Sequence, residues 1–192
     1  MENKKVSIEE QLRVLAELGI KPKADGFVDF ICYDWGRDAV ESDPYNLLLH
    51  SLSAGRIIND DEWEDNSDDV YGFDTECVED GGVYAEKLEA LSAFSKGAFE
   101  ISNAAGTVDH DNRKSSVSFD FNQKTYNWKM RYNYDWFDVS LIDKINLLLR
   151  EAGSSKFFFT TEPDQDVIVL FTTEKIAEEV NKLVDLPFNI WV

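Results

Sequence analysis

The chain has 192 residues and carries 38 Asp and Glu against 19 Lys and Arg, a formal net charge of −19. At 43 % hydrophobic and 13 % aromatic it is too rich in core-forming side chains for a disordered acidic tail, and its length suits a fold that needs neither metal nor disulfide. The charge argues against direct contact with nucleic acid or an anionic membrane, because phosphates are held by Lys and Arg, and no stretch approaches the roughly 18 apolar residues of a membrane span.

The opening, MENKKVSIEEQLRVL, is charged every few positions and lacks the apolar stretch of a secretory signal, so a cytoplasmic protein is expected. Ser7 and Glu10 form a capping box, Ile8, Leu12, Leu15 and Leu18 recur at helical spacing, and Gly19 supplies a stop. The spacing predicts a helix over about Ile8 to Leu18. Pro22 and Gly26 break the chain before FVDFICYDW, an aromatic-rich segment that reads as strand or short helix. Asp43-Pro44 opens YNLLLHSL, which ends at Gly55 and whose type periodicity does not decide. From Ile57 to Glu86 there are twelve Asp or Glu and no Lys or Arg, densest in NDDEWEDNSDD, Asn59 to Asp69. This run reads as a solvated loop or as an acidic surface complementary to a basic partner. VYGFDTECV reads as a strand and Gly81-Gly82 as a break. Tyr84, Leu88, Leu91 and Phe94 then predict a helix from about Val83 to Ser95, ended by Gly97.

Further on, TVDHDNRK reads as a polar connection. Val117, Phe119 and Phe121 alternate with polar residues, as do Tyr126, Trp128, Met130 and Tyr132, giving two strands across a turn at Asn122-Gln123. A helix follows with Leu141, Ile142, Ile145, Leu148 and Leu149 on one face and Gly153 as its stop. KFFFTT and DVIVLFTT make a second hairpin across Pro163-Asp164-Gln165, before a helix in TEKIAEEVNKLV and an extended PFNIWV. The order predicts an α+β fold, a mainly antiparallel sheet with helices packed on one face. It forms a single domain, 1–192, or an N-terminal half, 1–105, packed on a C-terminal sheet, 106–192. Val117, Phe119, Phe121, Trp128, Leu141, Ile145, Leu148, Phe158, Val169, Ile176 and Val180 are its expected buried residues.

Catalytic signatures are sparse. Cys32 and Cys77 are too few for a disulfide framework and read as buried small hydrophobes. His50 lies in an apolar run and His110 in a polar turn, and no serine-elbow, zinc-protease, Walker or dinucleotide motif is present, so no catalytic residue and no cofactor is expected. The EF-hand template, read back from Gly72, places Ser67, Asp69 and Tyr71 at its first three ligand positions and fails at two, so no metal site is expected. FDTEC offers one enzymatic alternative. Asp74 and Glu76 resemble the first acidic motif of the DEDD exonucleases, a two-metal family, and Tyr134 and Asp138 match the spacing of its last. Against it stand the late position, a preceding strand that is not the usual apolar run, and the charge.

VYGFDTECVEDGGVYAEKLEALSAF and YDWFDVSLIDKINLLLREAGSSKFFFTTEPDQDVIVLFTTEKIAEEV, about a third of the chain, resemble small acidic bacterial cytosolic proteins. These include immunity proteins of polymorphic toxin and contact-dependent inhibition systems. The resemblance implies a non-enzymatic inhibitor that binds a basic cognate toxin, often a nuclease domain. The alternatives are a structural or housekeeping protein whose charge serves solubility, and a mimic of DNA. Within the acidic run the candidate contacts are Asp60, Asp61, Glu62, Glu64, Asp65, Asp68 and Asp69, with Trp63 as an aromatic anchor, since interface energy concentrates in Trp, Tyr and Arg.

Overall fold

A computed structural model describes residues 5–23, 25–59, 62–162 and 164–190, and for Ile58 and Asn59 the backbone alone. The described elements run α1 (Ile8–Glu17), α2 (Phe27–Asp34), α3 (Arg37–Ser42), α4 (Asn46–Ser53), β1 (Gly55–Asn59), β2 (Glu62–Asp65), β3 (Tyr71–Asp74) and α5 (Gly82–Phe94). They continue as β4 (Ile101–Asp109), β5 (Lys114–Phe121), β6 (Lys124–Met130), α6 (Ser140–Glu151), β7 (Phe157–Thr161), β8 (Asp166–Thr172) and α7 (Glu174–Asn181). The strands pair as β1-β2, β3-β8-β7 and β4-β5-β6, all antiparallel, so the fold is α+β. The described residues group into two compact units, one holding those up to Phe73 with Phe159–Asn189, the other Asp74–Phe158 with Ile190.

In the first unit α1 starts as its capping box predicts. The Ser7 hydroxyl accepts from the Glu10 N–H at 3.3 Å, Ile8 and Leu15 are buried, and Gly19 takes a left-handed φ of 84° beyond the helix end. Ser7→Ala is expected to destabilise the protein by about 1 kcal/mol, read as a lowered urea midpoint with unchanged slope. Gln11 is fully buried and satisfies three backbone groups. Its amide donates to Val6 O at 2.8 Å and Val40 O at 3.1 Å, and its oxygen accepts from Tyr45 N–H at 2.8 Å. The two segments that periodicity leaves open, FVDFICYDW and YNLLLHSL, are both helical, as α2 and α4. β8 lies between β3 and β7, which is why Val167 to Leu170 is a continuous apolar run with every residue buried.

In the second unit the β5–β6 hairpin turns at Asn122 and Gln123, both at positive φ, as a two-residue turn with the twist of its strands requires. Val117, Phe119 and Phe121 are buried, while Ser116, Ser118 and Asp120 stay half-buried on the other face. Phe119 stacks on Tyr126 at 5.4 Å and meets Phe99 and Trp128 edge-on at 5.8 and 4.9 Å. α5 buries Tyr84, Leu88 and Leu91, and Tyr84 stacks on Phe137 at 4.7 Å. Phe158 exchanges two hydrogen bonds with the buried Asn146 of α6, and within the first unit Thr160 exchanges two with Asn189.

Four expectations need correction. Trp128 and Ile176 are half-buried rather than buried, Trp128 because it sits on the edge strand β6 and Ile176 because it lies at the margin of α7's apolar face. Cys32 and Cys77 are free and half-buried, and partial burial pushes the Cys77 thiol above its ordinary pKa. The approach to the polar connection at His110 is a nine-residue strand, β4, with its irregularity between Ser102 and Ala105. The acidic run is not a plain loop, since β1 and β2 pair across it.

Candidate functional site

The acidic segment is built from the end of α4 outward. β1 leaves α4 at Gly55 and pairs with β2 in the register Gly55↔Asp65, Arg56↔Glu64, Ile57↔Trp63. Alternation along the two strands divides their side chains. Arg56 and Glu64 are half-buried and face each other at 3.4 Å, with the Arg56 guanidinium 5.7 Å from the centre of the Phe30 ring on α2. The opposite face is open. Ile57 is 69 % exposed and Trp63 66 %, directly across from one another, with exposed Asp65 beside them and exposed Glu62 at the tip.

Gly55 explains how an exposed indole is held in place. A Cβ there would lie 2.2 Å from Trp63 Nε1, so the ring occupies space that only glycine leaves. A two-stranded ribbon is marginal by itself, and this one is pinned at its base. Buried Asn66 donates its side-chain amide to Ser51 O at 2.8 Å and its backbone N–H to Ala54 O at 3.0 Å, and accepts from Lys23 N–H at 2.8 Å. Ser67 donates to Lys21 O at 2.7 Å, and Asp69 accepts from Lys21 N–H at 3.3 Å.

The eight candidate contacts therefore separate. Glu62, Trp63 and Asp65 stand on the exposed tip and face. Glu64 is paired with Arg56, Asp68 lies 3.2 Å from Lys23 Nζ, and half-buried Asp69 caps the Lys21 backbone. The Asp68 hydrogen bond and charge raise the Lys23 ammonium above its ordinary pKa, with Asp65 and Glu64 adding to the effect. Asp60 and Asp61 lie outside the described residues. Sequence reasoning misses Ile57, the apolar half of the exposed pair, and the partners of the other acids, Arg56, Lys23 and the Lys21 backbone. The GRII preceding the acids carried the only signal for Ile57.

Asp74 and Glu76 lie in the second unit, exposed at and just past the end of β3, where Asp74 accepts from Glu76 N–H at 2.7 Å. Asp138 commits both oxygens locally, one to Arg131 N–H at 2.6 Å and one to the Ser140 hydroxyl at 2.7 Å. Among the described residues no three His, Cys, Asp or Glu side chains are grouped so as to hold a metal ion. His50 is half-buried with Nε2 3.0 Å from Asp166 Oδ2, and His110 is exposed at the β4–β5 turn. Among the described residues no helix is long and apolar enough to cross a membrane. Comparison with protein-family models, curated proteins and solved structures finds no match for this chain.

Proposed function

We propose that this chain is a non-enzymatic, protein-binding inhibitor, an immunity protein of a bacterial cytoplasm that neutralises a basic cognate toxin through the β1–β2 hairpin. The observation that carries this reading is the exposed Ile57–Trp63 pair, seated over Gly55 and flanked by Glu62 and Asp65. Aromatic residues with fixed rotamers lose little entropy when an interface closes over them, which is what makes Trp a frequent anchor. Carboxylates around such an anchor contribute little static affinity. They draw in a basic partner at long range and raise the association rate, and on a nuclease they occupy the groove that would hold phosphates. The net charge of −19 extends that field over the whole molecule.

The test pairs the chain with the product of the adjacent upstream gene, expressed as a toxin domain. Co-expression is expected to restore growth. Binding kinetics should then divide by residue: Trp63→Ala weakens the complex by about 2 kcal/mol, chiefly through faster dissociation. Joint neutralisation of Asp60, Asp61, Glu62 and Asp65 to Asn and Gln slows association and flattens its dependence on salt, because exposed charges are screened beyond about 10 Å at 0.1 M and about 3 Å at 1 M ionic strength. A neighbour that is not toxic, or a complex indifferent to both variants, overturns the reading.

A further inference from the structure

A second feature of the first unit is unrelated to the hairpin. α2, α4, β8 and the segment after α7 enclose a cavity of about 510 Å³, within the size range of small-ligand sites. Part of its wall is apolar surface left unusually open, Trp35 being 45 % exposed and Leu186 52 % exposed, with buried Ile168 and Phe188 behind them. Four carboxylates, Asp43, Asp164, Asp166 and Asp185, line the same space, and no Lys or Arg is among its lining residues.

Two of those carboxylates are held together. The Asn46 side-chain nitrogen donates to Asp43 Oδ1 at 2.7 Å and reaches Asp185 Oδ2 at 3.4 Å, while its oxygen accepts from Asp185 N–H at 3.0 Å. A neutral amide fixes the pair without cancelling either charge, so a bound cation meets two carboxylates held side by side. Among the four, Asp166 faces the His50 imidazole at 3.0 Å, and that ring stands edge-on to Trp35 at 6.0 Å. An anion finds no donor cation here, and the largely apolar lining suits no bare metal ion.

We propose that this cavity binds an organic cation, a guanidinium or ammonium group on an aliphatic stem. Asp43, Asp185 and Asp164 receive the charge, while Trp35 and Leu186 cover the stem. An indole also attracts a cation to its face. The proposal is independent of the hairpin and of any toxin, so either can fail alone.

Titration of the full, ¹⁵N-labelled chain with n-butylguanidinium, against its uncharged isostere n-butylurea, isolates the charge from the shape. The expected result is a saturable shift of the Trp35 indole N–H with butylguanidinium and binding of butylurea weaker by about tenfold or more, which is about 1.4 kcal/mol. Asp164→Asn with Asp185→Asn should cost butylguanidinium a similar factor. Asp164 sits at φ 56°, a conformation Asn accepts, so the first change leaves the backbone unstrained. A capped Gly-Arg-Gly peptide, against Gly-citrulline-Gly, distinguishes the source. Tighter binding of the Arg peptide than of butylguanidinium assigns the site to a protein side chain, and the reverse order assigns it to a free small-molecule cation. Equal binding of butylguanidinium and butylurea, no saturable shift at Trp35 at millimolar concentration, or undiminished binding to a folded double variant each overturn the proposal.

Discussion

Asn146→Ala is expected to destabilise the protein by about 3 kcal/mol, because the side chain it removes serves both backbone groups of a buried strand residue. Asn146 is fully buried on α6, donates to Phe158 O at 2.8 Å and accepts from Phe158 N–H at 2.8 Å. Leaving a buried donor or acceptor without its partner costs about 1–3 kcal/mol each, and the small cavity left by the truncation adds to that. Asn146→Asp separates the hydrogen-bond effect from the packing effect. It keeps the size and the acceptor but turns a carboxylate oxygen toward the Phe158 carbonyl. Burial and that opposition both raise the folded-state pKa of the new carboxyl above its unfolded value near 3.9, so the unfolded chain loses its proton at lower pH than the folded one. Stability of this variant therefore falls as pH rises above about 4 and is partly restored on acidification, when the protonated acid donates to the carbonyl. Urea unfolding of wild type and both variants at neutral and mildly acidic pH measures this. A wild-type-like midpoint for Asn146→Ala, or an Asn146→Asp penalty that grows on acidification, contradicts the account.

What the sequence makes legible is what local rules determine. The capping box at Ser7 and Glu10 marks the start of α1 within a residue, and the alternation around Phe119 and Trp128 marks the β5–β6 hairpin with its register. β4 is invisible for a physical reason. ISNAAGTVD carries small and polar residues with no large apolar alternation, and its strand conformation comes from pairing with β5, a partner distant in type though near in sequence. The short apolar runs that became α2 and α4 lack enough turns for a period to show, so tertiary packing decides them. At the candidate site, composition points to the acidic stretch but not to its construction. Ile57 stands before the acids in sequence, and only the pairing with β2 places it beside Trp63. The same pairing, with the approach of residues 21–23, sets Glu64, Asp68 and Asp69 against Arg56, Lys23 and the Lys21 backbone. A count of charges cannot distinguish a carboxylate already answered within the fold from one left facing solvent.

Gly106→Ala is expected to cost about 3 kcal/mol or more, the largest effect of a single methyl group among the described glycines. In β4 a Cβ on Gly106 would lie 2.1 Å from Gly81 O, and one on Gly81 would lie 2.4 Å from Gly106 O and 2.5 Å from Thr107 Cα. These clashes are with backbone, so no rotamer change relieves them, and either methyl must drive the start of α5 away from β4. Displacing α5 strains the seating of Tyr84, whose ring stacks on Phe137 and whose hydroxyl accepts from Asp138 N–H at 3.1 Å. Backbone preference gives the opposite sign, since alanine lowers the entropy of the unfolded chain by a few tenths of a kcal/mol to about 1 kcal/mol, too little to offset the overlap. Two comparisons make the expectation specific. Gly82→Ala, one residue along, meets only the Asp80 carboxylate, which can rotate away, and it gains helix propensity, so its change should stay within about 1 kcal/mol. The Gly81→Ala, Gly106→Ala double variant should cost clearly less than the sum of the two, because one displacement of α5 relieves both overlaps. Denaturant midpoints with near-ultraviolet circular dichroism of the Tyr84 environment read both terms. Full additivity in the double variant would show that the two glycines do not share one close approach.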